Sequence, residues 1–487
     1  MTPALTGDEH QYMADTQHYD LMMIGGGPAG YVGAIRAAQL GLNVACVELD
    51  QLGGTCLNWG CIPTKALLST AEFYDKLNHE AGQWGIVAGE VHHDWPKLIA
   101  RSRAVAGNLN KGIHALFKKN KITHIKGRAK IVAAGPPGRI EIRDEAGAMT
   151  NTLEADHIII ATGARPRALP GIAFDGNRVI GSKEAMALSQ QPEKLLIVGA
   201  GAIGMEFAYI YNAFGTGVVI VEMLDRLLPT EDEEVSAAIE KAWRRRKIEY
   251  HVATKTLSAN TTTSGIELTI APVSDEAQTQ IITGDKVLIA AGVQGNHNNL
   301  LDDSVDVEIK NGHIKVDRGD YRTASPGIYA VGDVIGPPWL AHVASEEAIV
   351  CVENIAGLSP QAIDYNSIPA CTFCRPQVAS LGLTEQACDA KDQDYKVSKF
   401  PFQASGKAQA VGATQGFVKI ISDESSGEIL GVHMIGENVT ELLAEMCLAK
   451  QLKATAAEVV ATMHAHPTFS EAIHEASLGL ESGMIHF

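Results

Sequence analysis

Two segments of this chain share the same order of apolar, glycine and acidic positions. Each begins with four apolar residues typical of a buried strand, at 21–24 in the first segment and 195–198 in the second. Each continues with glycines spaced as GxGxxG and a stretch of helical periodicity that ends at a glycine. A second apolar strand follows, at 44–48 and 218–222, and its last residue is a glutamate. The segments align without a gap, so they predict a repeated strand–turn–helix–strand unit.

The chemistry of dinucleotide binding explains this glycine spacing. The first glycine allows a tight turn, the second lets the backbone approach a pyrophosphate, and the third lets the helix pack closely on the strand. The terminal glutamate can accept hydrogen bonds from the hydroxyl groups of an adenosine ribose. The two copies therefore predict two dinucleotide sites. Their residues are Gly25, Gly27, Gly30 and Glu48 in the first copy and Gly199, Gly201, Gly204 and Glu222 in the second.

Glu222 also indicates which nicotinamide nucleotide the second site accepts. A carboxylate at this position repels the extra phosphate of NADP and binds the free hydroxyl groups of NAD. Arg226 lies nearby in the chain and weakens the inference, because a cation there could attract that phosphate. The residues nevertheless favour NAD over NADP.

A pair of thiols, Cys56 and Cys61, follows the first repeat directly. Their spacing allows a disulfide across one turn of a segment that enters a helix. Pro63 fits the first turn of that helix and so places Cys61 near the helix start, where a thiolate is stabilised. Metal binding is an alternative, but no Cys or His cluster with zinc-ligand spacing accompanies the pair. Two ordinary core cysteines are a further alternative, which the surrounding glycines disfavour.

Three further apolar segments end in turns, at 158–163, 288–292 and 327–333. With the repeats and the thiol pair, they resemble the pyridine nucleotide–disulfide oxidoreductases over nearly the whole chain after residue 18. The resemblance implies an α/β fold with two Rossmann-like dinucleotide-binding domains, for FAD and NAD, and a C-terminal α+β dimerisation domain. The implied boundaries are a flexible tail at 1–18, an FAD domain at 19–160 and 293–360, an NAD domain at 161–292 and an interface domain at 361–487.

The same resemblance assigns roles to individual residues. Cys56 would exchange with substrate, and Cys61 would pass electrons to the flavin. Lys65 would lie beside the flavin and pair with Glu206, an acid on an apolar helix face that needs a cation; a helix-start carboxylate is the alternative for Glu206. The other cofactor contacts that the resemblance implies are Gly54, Thr55, Thr162, Gly163, Gly292, Gly332 and Asp333, the last of which would hold the ribityl chain.

The C-terminal motif HAHPTFSEA is similar to the acid–base motif of this family. A carboxylate on one ring nitrogen of a histidine fixes the tautomer and raises the basicity of the other nitrogen. His466 and Glu471 are the predicted pair, and His464 is expected to be structural. In this family the pair serves the thiols of the partner subunit, so the resemblance implies a homodimer.

Within the family, Ile-Pro-Thr-Lys after the second cysteine is the form seen in dihydrolipoamide dehydrogenases. The resemblance implies that dihydrolipoyl groups on lipoyl domains of 2-oxo acid dehydrogenase or glycine cleavage complexes are reoxidised, with hydride transfer to NAD⁺. A reductase of the glutathione or mercuric type and a non-catalytic flavoprotein subunit are the alternatives. Three features depart from the family pattern. They are Trp59 where a small aliphatic residue is usual, Cys374 in a CxxC pair with Cys371 that we expect to be chemically silent, and the lack of an arginine at 292–296.

Composition and charge exclude several other classes of function. A formal charge of -17 leaves no basic face for nucleic acid, and no apolar run is long enough to cross a membrane. No Lys or Arg precedes Arg36, whereas several acids do, unlike a secretory or mitochondrial targeting segment. We therefore expect a cytoplasmic protein. The 8 cysteines in so long a chain do not form a secreted disulfide framework, and no metal site is predicted.

Overall fold

A computed structural model describes residues 17–487 of the chain. These residues form two compact units, each built from three segments. The segments are 17–57, 108–165 and 294–363 in the first unit and 58–107, 166–293 and 364–487 in the second. The finer division into FAD, NAD and interface domains stays a prediction.

Helices and strands alternate through much of the described chain. The α-helices are α1 (Pro28–Gln39), α2 (Gly54–Trp59), α3 (Cys61–His79), α4 (Trp95–Lys119), α5 (Ser182–Ala185), α6 (Ala202–Ala213), α7 (Glu233–Arg245), α8 (Ala341–Ile355), α9 (Glu385–Asp389), α10 (Gly406–Ala410), α11 (Val439–Gln451), α12 (Ala456–Ala461) and α13 (Glu471–Glu481). Short 3-10 helices lie at Ala81–Trp84, Gly332–Ile335, Tyr365–Ser367 and Phe402–Ala404. Within residues 17–487, none of the helices combines the length and apolarity needed to cross a bilayer.

The strands are mostly short. They are β1 (Gln17–Ile24), β2 (Val44–Glu48), β3 (Thr123–Lys126), β4 (Arg128–Ala133), β5 (Gly138–Arg143), β6 (Met149–Ile160), β7 (Ala164–Pro166), β8 (Val179–Ile180), β9 (Lys194–Val198), β10 (Gly217–Val221), β11 (Glu249–His251), β12 (Thr254–Thr261), β13 (Ile266–Pro272), β14 (Gln280–Gly284), β15 (Lys286–Ile289), β16 (Val293–Gly295), β17 (Ile309–Lys310), β18 (His313–Ile314), β19 (Ile328–Ala330), β20 (Ala370–Thr372), β21 (Gln377–Gly382), β22 (Tyr395–Pro401), β23 (Phe417–Asp423) and β24 (Ile429–Gly436).

The first strand begins before residue 19, where the folded chain was predicted to start. Residues 1–16 of the predicted tail lie outside the described residues, but Gln17 and His18 already belong to β1. Both pair in parallel with β6. Gln17 and His18 are polar, so the sequence shows no apolar pattern that would predict a strand here. Their strand conformation comes from pairing with β6.

The first unit is built around one mixed sheet. Its strand order is β3-β2-β1-β6-β5-β4, with β19 also paired to β6. The pairs among β1, β2, β3, β6 and β19 are parallel, whereas β4 and β5 join antiparallel. The apolar residues 21–24 and 44–47 are almost completely buried, as expected for a parallel sheet that is covered on both faces.

The second unit repeats the parallel arrangement and adds antiparallel sheets. Its parallel sheet has the order β11-β10-β9-β15-β8, in which α6 connects β9 to β10 as α1 connects β1 to β2. Two antiparallel sheets follow, β12-β13-β14 and β20-β21-β24-β23-β22. The predicted fold class, two Rossmann-like domains with a C-terminal α+β part, is therefore confirmed.

Helix α6 is apolar on almost every side. Its sequence AIGMEFAYIYNA contains one charged residue, Glu206, and most of its residues are buried. It packs against α3 and against the parallel strands β9 and β10. A charge in such surroundings is unfavourable unless it is paired, so the helix itself requires a cation beside Glu206.

A buried lysine joins the start of α7 to the C-terminal sheet of the second unit. The Lys419 side chain is 0% exposed, and its Nζ lies 2.9 Å from Asp232 Oδ1 and 2.9 Å from Glu234 Oε2. It also contacts Glu385. Burial alone would raise the pKa of Asp232, but the hydrogen bond and charge of Lys419 hold that pKa below its usual value. Each charge in the cluster therefore depends on the others.

We expect Lys419→Met to destabilise the fold strongly, because three carboxylates would lose their buried cation. Urea denaturation of the FAD-loaded protein should show a loss of about 3–5 kcal/mol in the free energy of unfolding. Lys399→Met is the matched control, since Lys399 also contacts Glu234 but is 43% exposed, and it should cost about 0–1 kcal/mol.

The two variants should also respond differently to pH. Folding lowers the pKa of Asp232, so this stabilisation is present at neutral pH and is lost as the pH falls through the folded pKa. The stability difference between Lys419→Met and the unaltered protein should therefore shrink in acid. Equal losses for Lys419→Met and Lys399→Met at neutral pH would contradict the importance of the buried cation.

Candidate active site

The first glycine turn is held closely against the helix that follows it. Gly25 has a φ of 102°, a left-handed conformation that favours glycine. A Cβ on Gly30 would lie 1.8 Å from the Gly25 carbonyl oxygen, so only glycine allows this approach. The Gly26 N–H donates to Glu48 Oε2 at 2.6 Å and fixes the acid beside the turn. Gly27 is the N-cap of α1, which brings the unpaired N–H groups of the helix start to this turn.

The second glycine turn reproduces the first, including its hydrogen bonds. A Cβ on Gly204 would lie 2.0 Å from the Gly199 carbonyl oxygen. The Ala200 N–H donates to Glu222 Oε2 at 2.6 Å, as the corresponding amide does in the first turn. A Cβ on Gly201 would meet no heavy atom of the described chain within 4 Å. The protein leaves this space open, so the turn fits a phosphate that approaches the start of α6.

The surroundings of Glu222 bear on the choice of nucleotide. Glu222 is 8% exposed, and its second oxygen accepts a hydrogen bond from the Leu224 N–H at 2.8 Å. The Arg226 guanidinium lies 3.1 Å from Asp225 and 3.6 Å from Glu233. These acids offset the charge that could otherwise attract the extra phosphate of NADP, so the geometry favours NAD.

The redox segment starts against the first glycine turn. The Gly53 N–H donates to the Gly26 carbonyl oxygen at 2.7 Å. A Cβ on Gly54 would lie 2.5 Å from Gly27 Cα, so the two backbones approach more closely than a side chain would allow. Thr55 follows in α2 and is exposed.

Cys56 and Cys61 form a disulfide. Cys56 lies in α2, and Cys61 is the first residue of α3, with Gly60 as N-cap and Pro63 in the first turn. The predicted position of Cys61 at a helix start is confirmed. When the disulfide opens, the N–H groups and the dipole of α3 stabilise a thiolate at this sulfur.

The predicted contact between Lys65 and Glu206 is present. Lys65 Nζ lies 2.9 Å from each carboxylate oxygen of Glu206. Oε1 of Glu206 also accepts the Phe373 N–H at 3.1 Å, and the Phe373 ring lies 4.5 Å from Lys65 Nζ. Glu206 lies beyond the first turn of α6, so the alternative of a helix-start carboxylate does not apply. No pattern in the sequence pointed to Phe373, which contacts the pair from a distant part of the chain.

Thr162 and Gly163 lie one residue beyond the end of β6 and are hydrogen-bonded to Asn296. Thr162 Oγ1 donates to the Asn296 carbonyl oxygen at 2.6 Å, and Asn296 Nδ2 donates back to the Thr162 carbonyl oxygen at 3.0 Å. The Asn296 N–H donates to the Gly163 carbonyl oxygen at 2.9 Å. Asn296 was not among the predicted residues. Gly292, which was, has a φ of 96° and accepts the Arg167 N–H at 3.1 Å.

Gly332 and Asp333 lie in the 3-10 turn after β19. The Gly332 N–H donates at 2.7 Å to Glu347, which is 2% exposed. Burial raises the pKa of Asp333 to about 6, so hydroxyl donors from a ligand would favour its charged form. This environment fits a ribityl chain. Sequence reasoning missed Glu347, although an acid within an apolar helix is the same signal that pointed to Glu206.

His466 and Glu471 are also in contact. The His466 Nδ1 donates to Glu471 Oε1 at 2.8 Å, and Glu471 Oε2 accepts the Thr468 N–H at 2.8 Å. Burial alone would raise the pKa of Glu471, but these two hydrogen bonds hold it below its usual value. Glu471 is therefore an acceptor at neutral pH, which leaves Nε2 as the basic nitrogen of His466. The His464 side chain, in contrast, is 6% exposed, and its Nε2 lies 2.7 Å from Glu445 Oε1, as expected for a structural residue.

Cys371 and Cys374 are both free thiols. Burial raises the pKa of Cys371 to about 12 and that of Cys374 well above its ordinary value. Cys374 Sγ donates to the Pro376 carbonyl oxygen at 3.3 Å. Both thiols are therefore protonated and poorly reactive at neutral pH, which agrees with the prediction of a chemically silent pair.

Two glycine turns with the same geometry and a disulfide at a helix start are typical of one class of enzyme. Members of this class are oxidoreductases that bind two dinucleotides and use a redox-active disulfide. The chain belongs to the pyridine nucleotide-disulphide oxidoreductase family, whose model matches residues 19–348. The dimerisation domain of the same family matches residues 368–477 and supports a homodimer.

Individual relatives match over almost the whole chain. Dihydrolipoyl dehydrogenase of Bacillus subtilis is 43% identical over 475 residues, which cover 96% of this chain and 99% of the relative. Leghemoglobin reductase of Glycine max is 38% identical over 469 residues, which cover 96% and 88%. The crystal structure of LpdA from Mycobacterium tuberculosis superposes with a TM-score of 0.88 at 26% identity and covers 96% of this chain and 100% of that one.

The cofactors of this oxidoreductase are FAD and NAD, and the residues present fit both. The first turn with Glu48 and the buried carboxylate of Asp333 would hold FAD, and the second turn with Glu222 would hold NAD. When bound, FAD supplies a two-electron carrier between the disulfide and the nicotinamide. The position of Lys65 beside the flavin stays a prediction.

Glu222→Arg should lower the preference for NAD⁺ over NADP⁺ in kcat/KM about tenfold or more, since a charge-assisted hydrogen bond contributes about 1.5–3 kcal/mol. The variant removes a ribose acceptor and adds a cation for the phosphate. The ratio is the measured quantity because Glu222 also holds the Ala200 amide, whose loss weakens both nucleotides. Glu276→Arg, the same charge change at an exposed loop position, should leave the ratio unchanged. A preference of the unaltered enzyme for NADP⁺ would refute this assignment.

Proposed function

We propose that this enzyme oxidises dihydrolipoyl groups with NAD⁺. The observation that carries the proposal is the Cys56–Cys61 disulfide with Cys61 at the start of α3, because a dithiol substrate requires a disulfide that can exchange. Relatives named dihydrolipoyl dehydrogenase, 38–43% identical over nearly the whole chain, support the choice of substrate.

The proposed reaction moves two electrons from a dithiol to NAD⁺. A dihydrolipoyl dithiol loses two electrons and two protons and becomes the cyclic disulfide. The S–S bond between Cys56 and Cys61 breaks, one sulfur takes a proton, and the other becomes a thiolate. The second proton goes to a base. When the enzyme disulfide re-forms, the two electrons and one proton end on NAD⁺ as NADH, so one proton per turnover is released to solvent.

Cys56 is the proposed exchange thiol, and His466 is the proposed base. Exchange proceeds through a thiolate, so a base is needed while the substrate dithiol reacts. Glu471 occupies Nδ1 of His466 and leaves Nε2 to accept the proton. The His466 side chain is 77% exposed, which suits a residue that acts on thiols of a partner subunit in a homodimer.

The proposed partners are lipoyl domains of a 2-oxo acid dehydrogenase or glycine cleavage complex, which carry the dihydrolipoyl group. We also propose a cytoplasmic location, since six free cysteines suit a reducing compartment. Steady-state assays of the purified protein test the activity. Dihydrolipoamide with NAD⁺ should be turned over, and glutathione disulfide with NADPH should not. The opposite result would place the protein among the glutathione-type reductases.

Cys61→Ser should separate flavin binding from thiol chemistry. Two-electron reduction of the unaltered protein should produce a long-wavelength absorbance band from a thiolate beside FAD. Cys61→Ser should abolish this band while FAD stays bound, because Cys61 is the proposed electron-transfer thiol. Cys56→Ser is the matched control and should keep the band. A band that persists in Cys61→Ser would overturn the assignment of the two thiols.

His466→Gln should slow dihydrolipoamide oxidation by about 10²–10⁴-fold, the usual contribution of a general base. NADH-driven reduction of an artificial acceptor bypasses the thiols and should be largely spared. His486→Gln is the matched control, since His486 is also exposed and bonded to a glutamate at 2.8 Å. Equal losses of both activities in His466→Gln would make His466 structural.

Mixed dimers test which subunit supplies the base. Cys56→Ser subunits, which lack the exchange thiol, and His466→Gln subunits, which are strongly slowed, should recover part of the activity when combined. One site of each mixed dimer would then hold both an intact disulfide and an intact histidine. The absence of recovery in verified mixed dimers would place the base in the same chain as its thiols.

A further inference from the structure

Trp59 lies in the segment between the redox cysteines, and its ring contacts two cations. It is the last residue of α2, and Cys61 begins the next helix. The Arg103 guanidinium carbon lies 4.2 Å from the centroid of the Trp59 ring, and Lys183 Nζ lies 4.6 Å from it. Both distances are within the range of a cation–π interaction. Arg103 belongs to α4 and Lys183 to α5, so one indole ring joins the inter-cysteine segment to two other helices.

The ring is held by its faces rather than by its polar edge. Within the described residues, the buried Nε1 of Trp59 has no hydrogen-bond partner. Arg103 instead donates to the carbonyl oxygen of the neighbouring residue, Asn58. The carbonyl and the indole are both neutral, so these contacts hold the guanidinium in place without offsetting its charge.

The positive charge beside this segment favours one of the two redox states of the disulfide. The oxidised pair is neutral, whereas the reduced pair carries a thiolate after two electrons enter and one proton is taken up. Cations near a cysteine lower the free energy of its thiolate. Lys65 contributes less to this effect, because the Glu206 carboxylate lies 2.9 Å away.

We propose that Trp59 is a positioning residue, which holds Arg103 and Lys183 against the inter-cysteine segment and so stabilises the reduced, thiolate form of the disulfide. The proposal rests on the redox disulfide of the proposed function but not on the lipoyl substrate. The electrons come from a dithiol or from NADH, and the proton comes from solvent.

Trp59→Leu and Trp59→Phe test the proposal in the FAD-loaded protein. The disulfide is equilibrated with dithiol–disulfide mixtures of known ratio, and the thiolate is followed by its long-wavelength absorbance band as a function of pH. Trp59→Leu should make the disulfide about tenfold harder to reduce, which is about 30 mV for two electrons. The midpoint for thiolate formation should move to higher pH. Trp59→Phe keeps an aromatic face, although a smaller one than the indole, and the N–H that it removes has no hydrogen-bond partner within residues 17–487, so it should shift the equilibrium clearly less than Trp59→Leu.

A charge-neutralising variant tests whether Trp59 acts through its cations. Lys183→Gln should shift the equilibrium and the pH midpoint in the same direction as Trp59→Leu. In the Trp59→Leu background, Lys183→Gln should have much less effect, because the ring through which Lys183 is proposed to act on the disulfide is absent. Lys183 is exposed, so this variant also supplies a test if Trp59→Leu fails to bind FAD.

Three results would overturn the proposal. One is a thiol–disulfide equilibrium and a pH midpoint of thiolate formation that stay unchanged in Trp59→Leu. If Trp59→Leu fails to bind FAD, the same result in Lys183→Gln would count against the proposal. Another is an equal shift in Trp59→Leu and Trp59→Phe, which would exclude the aromatic face as the cause. The third is full additivity of Trp59→Leu and Lys183→Gln. None of these measurements uses lipoyl turnover, so a protein that shows the expected shifts but fails to oxidise dihydrolipoamide would refute the proposed function alone.

Discussion

The site depends on a close approach between a helix and a glycine turn that no larger residue permits. At both turns, a Cβ on the third glycine would lie 1.8–2.0 Å from a backbone oxygen, well inside van der Waals contact. This approach brings the helix start, with its unpaired N–H groups, to the place where a phosphate is expected. In the first turn it has a second consequence. Gly54 can lie against Gly27 because neither residue has a side chain. The nucleotide turn therefore fixes the position of the segment that carries Cys56.

Buried charge sets the next constraint on this architecture. Glu206 lies in an apolar helix and is 5% exposed, and such a charge is strongly unfavourable alone. Its two oxygens accept Lys65 Nζ at equal distances, and one of them also accepts a backbone amide. With these short contacts, the attraction between the charges and the additional hydrogen bond can offset the free energy that is lost when the two ions leave water. The pairing also holds Lys65 in one orientation on α3, four residues after Cys61, so the helix that begins with a thiol presents an oriented cation at its next turn.

Sequence reasoning succeeded where a residue type has only one physical explanation. Repeated glycines with a terminal acid, two cysteines before a helix, and an acid in an apolar helix each indicated a local requirement, and the contact between Lys65 and Glu206 followed from it. Contacts made by ordinary residues across long stretches of chain could not be predicted in this way. Phe373 and Asn296 bond through backbone groups, which carry no sequence signal, and their side-chain contacts reach residues far away in the chain. The cations around Trp59 belong to polar helices, where Arg103 and Lys183 look like ordinary solvated residues.

The acids of the site share a common task, which is to fix the group beside them rather than to react. Glu48 and Glu222 each hold an amide of a glycine turn, Glu206 holds Lys65, and Glu471 holds His466. A carboxylate suits this task because it only accepts hydrogen bonds, so the direction of each bond is determined. An amide at Glu471 could donate as well as accept and would leave the tautomer of His466 undetermined. The charge at that position therefore selects which ring nitrogen of His466 stays free to accept a proton.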